Sequence, residues 1–213
     1  MKSEFNRTDG LFSLCGLNCG LCPMQIRGEC SGCFNGSTCY QTCPIAPCSV
    51  KHGNVDYCFQ CSEYPCKRYD GIDRHDSLIS HRNQKRDMSK AKEIGIEAYL
   101  VEQREKKKIL TRLLDEYDDG SKDVFFCLTV NMMEVDDLQS VMDQADKQMG
   151  NTSIREKTAL IEQLIYDCAK KAKCSSGTSE IITTCRCDNY YCTILGYFDN
   201  HPSNLNLLCS IRG

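Results

Sequence analysis

The chain has 213 residues, of which 18 are cysteine, and its formal charge is −3 at pH 7. This length fits one compact domain or two small ones, and the negative charge does not favour nucleic-acid binding. No stretch reaches the roughly 18–20 consecutive apolar residues of a membrane-spanning helix. The N-terminal residues contain no export signal, so we expect a cytoplasmic protein that does not act at a membrane.

Eleven of the cysteines fall in one short stretch that has few large aliphatic side chains. Burial of apolar surface cannot hold such a stretch together, so bonds to sulfur must supply the cohesion. Three pairs have C-x2-C spacing, at which one turn places two thiolates on the same side of a metal ion. The candidate metal ligands are therefore Cys15, Cys19, Cys22, Cys30, Cys33, Cys39, Cys43, Cys48, Cys58, Cys61 and Cys66.

Zinc is the cofactor that we expect, because reducing conditions in the cytoplasm favour metal binding over disulfides. His52 is a candidate twelfth ligand, which would complete three four-coordinate sites. The alternative is a [4Fe–4S] cluster in an electron-transfer or redox accessory protein, since the C-x2-C-x5-C-x3-C-P segment that begins at Cys30 differs from a bacterial ferredoxin motif only in its middle gap. The polar residues between the ligands favour zinc, and disulfides are the interpretation for a secreted chain.

Cys15, Cys19 and Cys22 also have the spacing with which radical S-adenosylmethionine enzymes bind a cluster. Nothing downstream predicts the repeated strands and helices of the barrel that those enzymes need. The chain contains no HExxH motif and no glycine-rich phosphate loop. Sites closed by four cysteines lack the open coordination position of catalytic zinc. We therefore expect a binding protein without catalytic residues rather than an enzyme.

Beyond Cys66 the hydrophobic pattern predicts helices. Residues 67–96 contain one or two short helices with a break at Gly95, and a longer helix covers about Glu97 to Tyr117. Basic residues in this region alternate with acids, which indicates solvated helix faces rather than a nucleic-acid interface. The apolar run from Val124 to Val130 fits either a buried strand or a helix.

Two amphipathic helices are predicted after this run. The first covers 135–149, where apolar residues recur every three or four positions. The second begins at Ser153, which forms a capping box with Glu156. Its predicted buried stripe consists of Ile154, Ile161, Leu164, Ile165, Cys168 and Ala172. Cys168 and Cys127 lie on apolar patterns and are expected to act as small buried hydrophobic residues.

The last segment has a different composition, rich in threonine, tyrosine and isoleucine from Ile181 to Phe198, which predicts one or two strands. Five more cysteines there could form another metal or redox site: Cys174, Cys185, Cys187, Cys192 and Cys209. We therefore predict an α+β fold with a loop-rich metal module at 12–70, a mainly helical body at 71–172 and a β-rich tail at 173–213.

The motifs CGLNCGLCP, CSGC, CPIAPC and YCFQCSEYPCKRYD resemble, from Cys15 to Asp70, the prokaryotic family known as domain of unknown function 3795. The helical segment that starts at His81 is similar to an extension in one branch of that family, which carries the resemblance to about residue 170. The resemblance implies a small, cytoplasmic, cysteine-rich protein that binds metal and has no established activity. We expect structural metals and a surface that binds another protein.

Overall fold

A computed structural model describes residues 7, 9–34, 37–74, 76–148, 150 and 152–175. Within these ranges all regular structure is helical and no strand is present. The predicted α+β fold is therefore wrong, and the described part of the chain is all-α. The predicted β-rich tail, with its strands over 181–198, lies outside the described residues. None of the described helices is both long and apolar enough to span a membrane.

The chain divides into two compact units, Met1–Lys107 and Lys108–Gly213. The first unit carries the eleven clustered cysteines on short helical turns joined by loops. Its 3-10 turns are Cys19–Leu21, Cys58–Gln60 and Lys67–Tyr69. Its short α-helices are α1 (Pro23–Ile26), α2 (Thr38–Thr42) and α3 (Ala46–Lys51). The Ser37 side chain caps α2 by accepting a hydrogen bond from the Tyr40 N–H.

Longer helices follow the cysteine-rich stretch. They are α4 (Gln84–Ile94) and α5 (Ile96–Tyr117), and the predicted break between them at Gly95 is confirmed by a φ of +86°. Gly16, in the loop between Cys15 and Cys19, approaches α4 so closely that a Cβ atom would lie 2.8 Å from the Gln84 carbonyl oxygen. Glycine at this position therefore lets the cysteine loop pack directly on α4.

The core of the first unit joins aromatic residues near the cysteines to residues of α4 and α5. Phe12 is fully buried, and its ring centroid lies 4.6 Å from that of Tyr99 and 5.7 Å from that of Tyr57. Met88 and Ala91 of α4 complete this cluster together with Leu100. The helices thus give the cysteine-rich stretch an apolar surface that its own residues lack.

The second unit contains α6 (Asp123–Met132), α7 (Val135–Gln148) and α8 (Ile154–Ser175). The apolar run whose state was ambiguous forms α6, where seven of ten residues are buried. A helix buried on nearly all sides has no polar face, so periodicity could not distinguish it from a strand. The predicted helix at 135–149 is confirmed by α7, which packs against α8.

The capping box of α8 is confirmed, because the Ser153 N–H donates to Glu156 at 2.8 Å and the Glu156 N–H donates to the Ser153 hydroxyl at 3.4 Å. Ile161, Leu164 and Ile165 are buried as predicted. Ile154 was wrongly assigned to the buried stripe, since it is 42% exposed. It occupies the first position of α8, at the exposed end of the helix.

Candidate metal centre

All eleven clustered cysteines lie in the first unit, where they divide into three neighbouring groups. The thirteen cysteines whose side chains are described are free thiols. The groups are distinguished by a shared cavity, a shared apolar core and electrostatic proximity. We call them the four-thiol set (Cys48, Cys58, Cys61 and Cys66), the inner set (Cys15, Cys19, Cys33 and Cys43) and the three-thiol set (Cys22, Cys30 and Cys39).

The four-thiol set surrounds one small cavity. Its four cysteines line a space of about 30 Å³, and His52 and Tyr69 are among the other lining residues. A cavity of this size holds about one water molecule. The space therefore suits a single ion.

Short hydrogen-bonded turns place the members of the four-thiol set. Cys58 and Cys61 lie at the two ends of a turn closed by the bond from the Cys61 N–H to the Cys58 carbonyl, 3.0 Å long. Cys66 begins a second turn, in which the Tyr69 N–H donates to the Cys66 carbonyl at 2.8 Å. Cys48 lies in α3. Only the Cys58–Cys61 pair was recognisable as a unit from its spacing.

Tyr69 connects the four-thiol set with the inner set. Its hydroxyl donates to the Cys15 carbonyl at 3.0 Å and also hydrogen-bonds to the Cys58 thiol. Burial raises the pKa of the Cys58 thiol to about 12, and the hydrogen bond with Tyr69 opposes this rise. Cys58 is therefore a neutral thiol at pH 7 unless a cation displaces its proton.

The inner set lies around a small apolar core. Three of its cysteines pack against the cluster of Leu14, Ile45 and Ala46. Burial raises the pKa of Cys15 to about 11 and raises the pKa of Cys19 well above its usual value, and neighbouring thiols add to both shifts. The Ser13 hydroxyl, 3.2 Å from the Cys15 sulfur, acts in the opposite direction. A divalent cation would offset the repulsion among thiolates placed this close together.

The three-thiol set lies nearer the surface. Cys39 is exposed, whereas Cys22 and Cys30 are half-buried. Burial raises the pKa of Cys39 to about 11, and the charge of Cys30, a hydrogen bond with Cys30 and the charge of Cys22 all add to the rise. The charge of Cys30 also raises the pKa of Cys22. The three side chains are therefore mutual neighbours.

Backbone N–H groups point at several of these sulfur atoms. At Cys15, Cys22 and Cys30 the sulfur accepts a hydrogen bond from the N–H two residues later in the chain. The distance from the Gly32 nitrogen to the Cys30 sulfur is 3.4 Å. Such donors favour the thiolate over the thiol. The local backbone is thus arranged to stabilise negatively charged sulfur.

Arg7 is a buried cation near the inner set that sequence analysis missed. Its side chain is 5% exposed, its Nη2 donates to the Phe12 carbonyl at 2.7 Å, and its guanidinium carbon lies 4.6 Å from the centroid of the Tyr57 ring. Its Nε and Nη1 have no hydrogen-bond partner among the described residues. Its charge opposes the rise that burial causes in the pKa of Cys33. No motif marks this residue, because an isolated arginine near a chain end has no recognisable spacing.

A buried polar network holds the loop between Cys15 and Cys19 against α4 and α5. Asn18 donates from Nδ2 to the Asp87 carboxylate at 2.8 Å and accepts a hydrogen bond from the Tyr99 hydroxyl at 2.9 Å. Gln84 donates from Nε2 to the Cys15 carbonyl at 3.0 Å. Burial raises the pKa of Asp87, and the charge of the adjacent Arg86 opposes this. Sequence analysis identified none of these partners, since they lie 69 or more residues from the loop.

The thiols are neighbours without ligand geometry. Among the described residues, no group of three or more His, Cys, Asp or Glu side chains is placed to hold a metal ion. His52, the candidate twelfth ligand, lines the cavity of the four-thiol set, and its Nδ1 is 3.7 Å from Glu63 Oε1. It therefore adjoins the set that already has four thiols and not the set that has three.

Cys127 and Cys168, the other two cysteines whose side chains are described, belong to the second unit. Cys127 is 2% exposed in α6, as expected for a small hydrophobic residue, and Cys168 in α8 is half-buried. The predicted site of Cys174, Cys185, Cys187, Cys192 and Cys209 falls outside the described side chains. Comparison with protein-family models, with curated proteins and with solved structures finds no match to this chain. The resemblance to domain of unknown function 3795 therefore stays a prediction.

Proposed function

We propose that this chain is a metal-binding protein whose four-thiol set holds one structural zinc ion. The observation that carries the proposal is that all four cysteines of this set line a single cavity of about 30 Å³. Four thiolates make a complete tetrahedral ligand set for zinc. Zinc binding would supply the cohesion that the few aliphatic side chains of this stretch cannot provide.

To bind zinc, the four cysteine side chains of this set must turn toward one point. The raised pKa of Cys58 indicates a neutral thiol in the protein without metal, and neutral thiols do not need to converge. When zinc is bound, each thiol gives up its proton as its bond to the metal forms. Rotation of the side chains, with the hydrogen-bonded turns kept, would bring the sulfur atoms together.

The inner set is our second candidate zinc site. Four thiolates around one zinc ion carry a net charge of about −2, which a buried site must compensate. Arg7 offers such compensation, because it is buried, acts on Cys33 and has two nitrogens without a partner among the described residues. The backbone N–H groups that donate to sulfur also stabilise the thiolate charge.

The cavity lined by the four-thiol set admits one ion as it stands, which suits zinc. A [4Fe–4S] cluster, with eight heavy atoms, would require the four cysteines to move apart rather than together. An iron–sulfur protein is therefore the alternative that the metal analysis below must exclude.

A zinc ion with four cysteine ligands has no coordination position left for a substrate, so we propose a structural role for it. The role of the folded module in binding a protein partner stays a prediction, as does the cytoplasmic location, where thiols would remain reduced. Neither is needed for the metal analysis.

The proposal is tested by metal analysis of the full chain, purified without oxygen and without added metal. We expect zinc, no iron and no absorption in the visible range. Replacing a member of the four-thiol set, Cys66→Ser, should remove one zinc ion per chain. Iron accompanied by sulfide, or an unchanged zinc content in Cys66→Ser, would contradict the proposal.

Cys168→Ser is the matched control. Cys168 is a free thiol outside the three sets, and its Sγ lies 3.9 Å from the Asp137 carbonyl, to which a serine hydroxyl could also donate. The metal content of this variant should equal that of the wild type. Loss of zinc from both variants would indicate general unfolding rather than loss of a ligand.

A further inference from the structure

We infer that Cys22, Cys30 and Cys39 form a second kind of metal site, with three thiolate ligands and an open fourth position filled from solution. The inference rests on the proposed function, because it assumes that the cysteine sets bind metal. The three-thiol set would hold a soft metal ion that exchanges with ions in solution. The ligand that it predicts for the open position is the thiolate of a small-molecule thiol, with water there in its absence.

Cys22, Cys30 and Cys39 form a group of their own. Cys22 directly precedes α1, and Cys30 returns to that helix through the bond from its own N–H to the Met24 carbonyl, 3.1 Å long. Cys39 lies in α2 and hydrogen-bonds to Cys30. Three separate segments thus bring their thiols to one place.

Among the described residues, the groups that shift the pKa values of Cys22 and Cys39 most strongly are other cysteines, backbone N–H groups and Arg27, and these include no carboxylate or imidazole to serve as a fourth ligand. His52 adjoins the four-thiol set. Cys33 also raises the pKa of Cys39, but its effect is smaller than those of Cys30 and Cys22. Its side chain packs against the core of the inner set. Eleven cysteines therefore divide into two sets of four and one set of three.

The three-thiol set is accessible from solution through Cys39. Cys39 is exposed, in contrast to the other ten cysteines of the stretch, which are at least half-buried. A three-coordinate thiolate site at the surface leaves one side of the ion open to solvent. Three bonds also hold an ion less tightly than four, and an incoming chelator or thiol can bind before the protein ligands leave. Exchange at this site should therefore be much faster than at a closed site.

The chemistry of this site involves no redox step. Three thiols release three protons as three metal–sulfur bonds form, and the metal stays in the same oxidation state. A small thiol that enters the open position releases a fourth proton, or binds as the thiolate, and displaces water. The soft sulfur ligands favour zinc and other ions with affinity for thiolate over magnesium or calcium.

The inference is tested by following zinc transfer from the full-length, zinc-loaded protein to a chromogenic chelator. We expect one equivalent to leave at least about tenfold faster than the remainder. Cys39→Ser should abolish this fast phase and leave the slow phase unchanged. Cys66→Ser, the matched variant in the four-thiol set, should lose one slow equivalent and keep the fast one.

Cobalt substitution supplies a second measurement that does not depend on rates. Adding glutathione to the cobalt-loaded wild type should increase the sulfur-to-cobalt charge-transfer absorption, because a fourth thiolate enters the open position. The cobalt-loaded Cys39→Ser protein should show no such increase. This comparison uses the full chain, so an ion held by cysteines elsewhere contributes equally to both proteins.

The outcomes separate this inference from the proposed function. Release of all zinc at one rate, a fast phase that survives in Cys39→Ser, or a spectrum that glutathione does not change would overturn the open site while leaving a metal-binding protein. A full chain that binds neither zinc nor cobalt would overturn the proposed function and the open site with it.

Discussion

The Tyr69 hydroxyl donates a hydrogen bond to the backbone carbonyl of Cys15 at 3.0 Å, across 54 residues of sequence. Because Tyr69 also lines the cavity of the four-thiol set, this bond joins two groups of cysteines that no sequence spacing connects. The side chain is 4% exposed, so water cannot replace the bond if it is lost. Tyr69 is therefore a structural link between the two proposed zinc sites.

Tyr69→Phe should destabilise the metal-loaded protein by about 0.5–1.5 kcal/mol, because it removes one of the two donors to the buried Cys15 carbonyl and leaves the bond from Gln84 in place. Urea unfolding followed by circular dichroism measures the change. Tyr64→Phe is the matched control, since the Tyr64 ring packs edge-on against Tyr69 with centroids 4.9 Å apart, and its hydroxyl bonds to no other described residue. Equal destabilisation by both variants would remove the role assigned to the hydroxyl of Tyr69.

Arg7→Gln should lower the zinc affinity of the inner set by about 10- to 100-fold, the range typical of lost partners around metal ligands. The reason is that the variant removes the positive charge that acts on Cys33. Competition with a chelator of known affinity measures the effect. Arg104→Gln is the control, because Arg104 is 49% exposed and contacts Asp9 only at 3.9 Å. An unchanged affinity in Arg7→Gln would show that the cation does not compensate thiolate charge.

Asn18→Ala should cost about 1–3 kcal/mol, since it leaves the Tyr99 hydroxyl without its acceptor and removes one hydrogen bond from the buried Asp87 carboxylate, which keeps its ion pair with Arg86. A double-mutant cycle with Tyr99→Phe measures the coupling between the two residues by urea unfolding. We expect a coupling free energy of about 1 kcal/mol. Strict additivity would mean that the hydrogen bond between Tyr99 and Asn18 contributes nothing to stability.

Zinc affinity should rise steeply with pH between about pH 6 and pH 8, where an ordinary free thiol is still largely protonated. The rise in zinc affinity should continue to higher pH, because the pKa is raised to about 12 at Cys58 and to about 11 at Cys15 and Cys39. Each proton released on binding contributes a tenfold rise in affinity per pH unit. Chelator competition at several pH values measures the slope. A flat profile would mean that zinc is not bound by these thiols.

Removal of metal should loosen the first unit and leave the second intact. The turns Cys19–Leu21 and Cys58–Gln60 carry cysteines of the proposed zinc sites, whereas α7 and α8 contain none of those cysteines and pack through buried residues such as Leu138, Met142 and Ile165. Hydrogen exchange measured by mass spectrometry, with and without a chelator, tests this. Amides of the two turns should lose protection, and those of α7 and α8 should not. Protection lost equally everywhere would mean that both units depend on metal.

The sequence predicted the helical part well where the pattern was local. Gly95 marked the break between α4 and α5, and Ser153 with Glu156 marked the start of α8, because breaks and caps depend on adjacent residues. The α+β assignment was wrong for the described residues, whose regular structure is all helical; it rested on strands predicted over 181–198, outside them. The uniformly apolar run in α6 carries no period, so its pattern left strand and helix open. A local pattern thus fixes helix ends better than it fixes the class of a buried segment.

The candidate site was predictable in its residues but not in its grouping. C-x2-C spacing pairs Cys19 with Cys22 and Cys30 with Cys33, yet each pair is divided between the inner set and the three-thiol set. Spacing shows that two thiols can share an ion, and only the path of the chain between other elements decides which thiols do. Arg7 shows the same limit, because its relation to Cys33 depends on packing and on no motif.

X-ray absorption at the zinc edge of the full-length Cys39→Ser protein tests the central claim most directly. With the open site removed, the zinc that remains in the two four-cysteine sets should have only sulfur neighbours, about four per ion. The same spectrum of the wild type should contain a contribution from oxygen. Nitrogen or oxygen ligands around the remaining zinc in Cys39→Ser, or a protein that holds iron instead of zinc, would contradict the account.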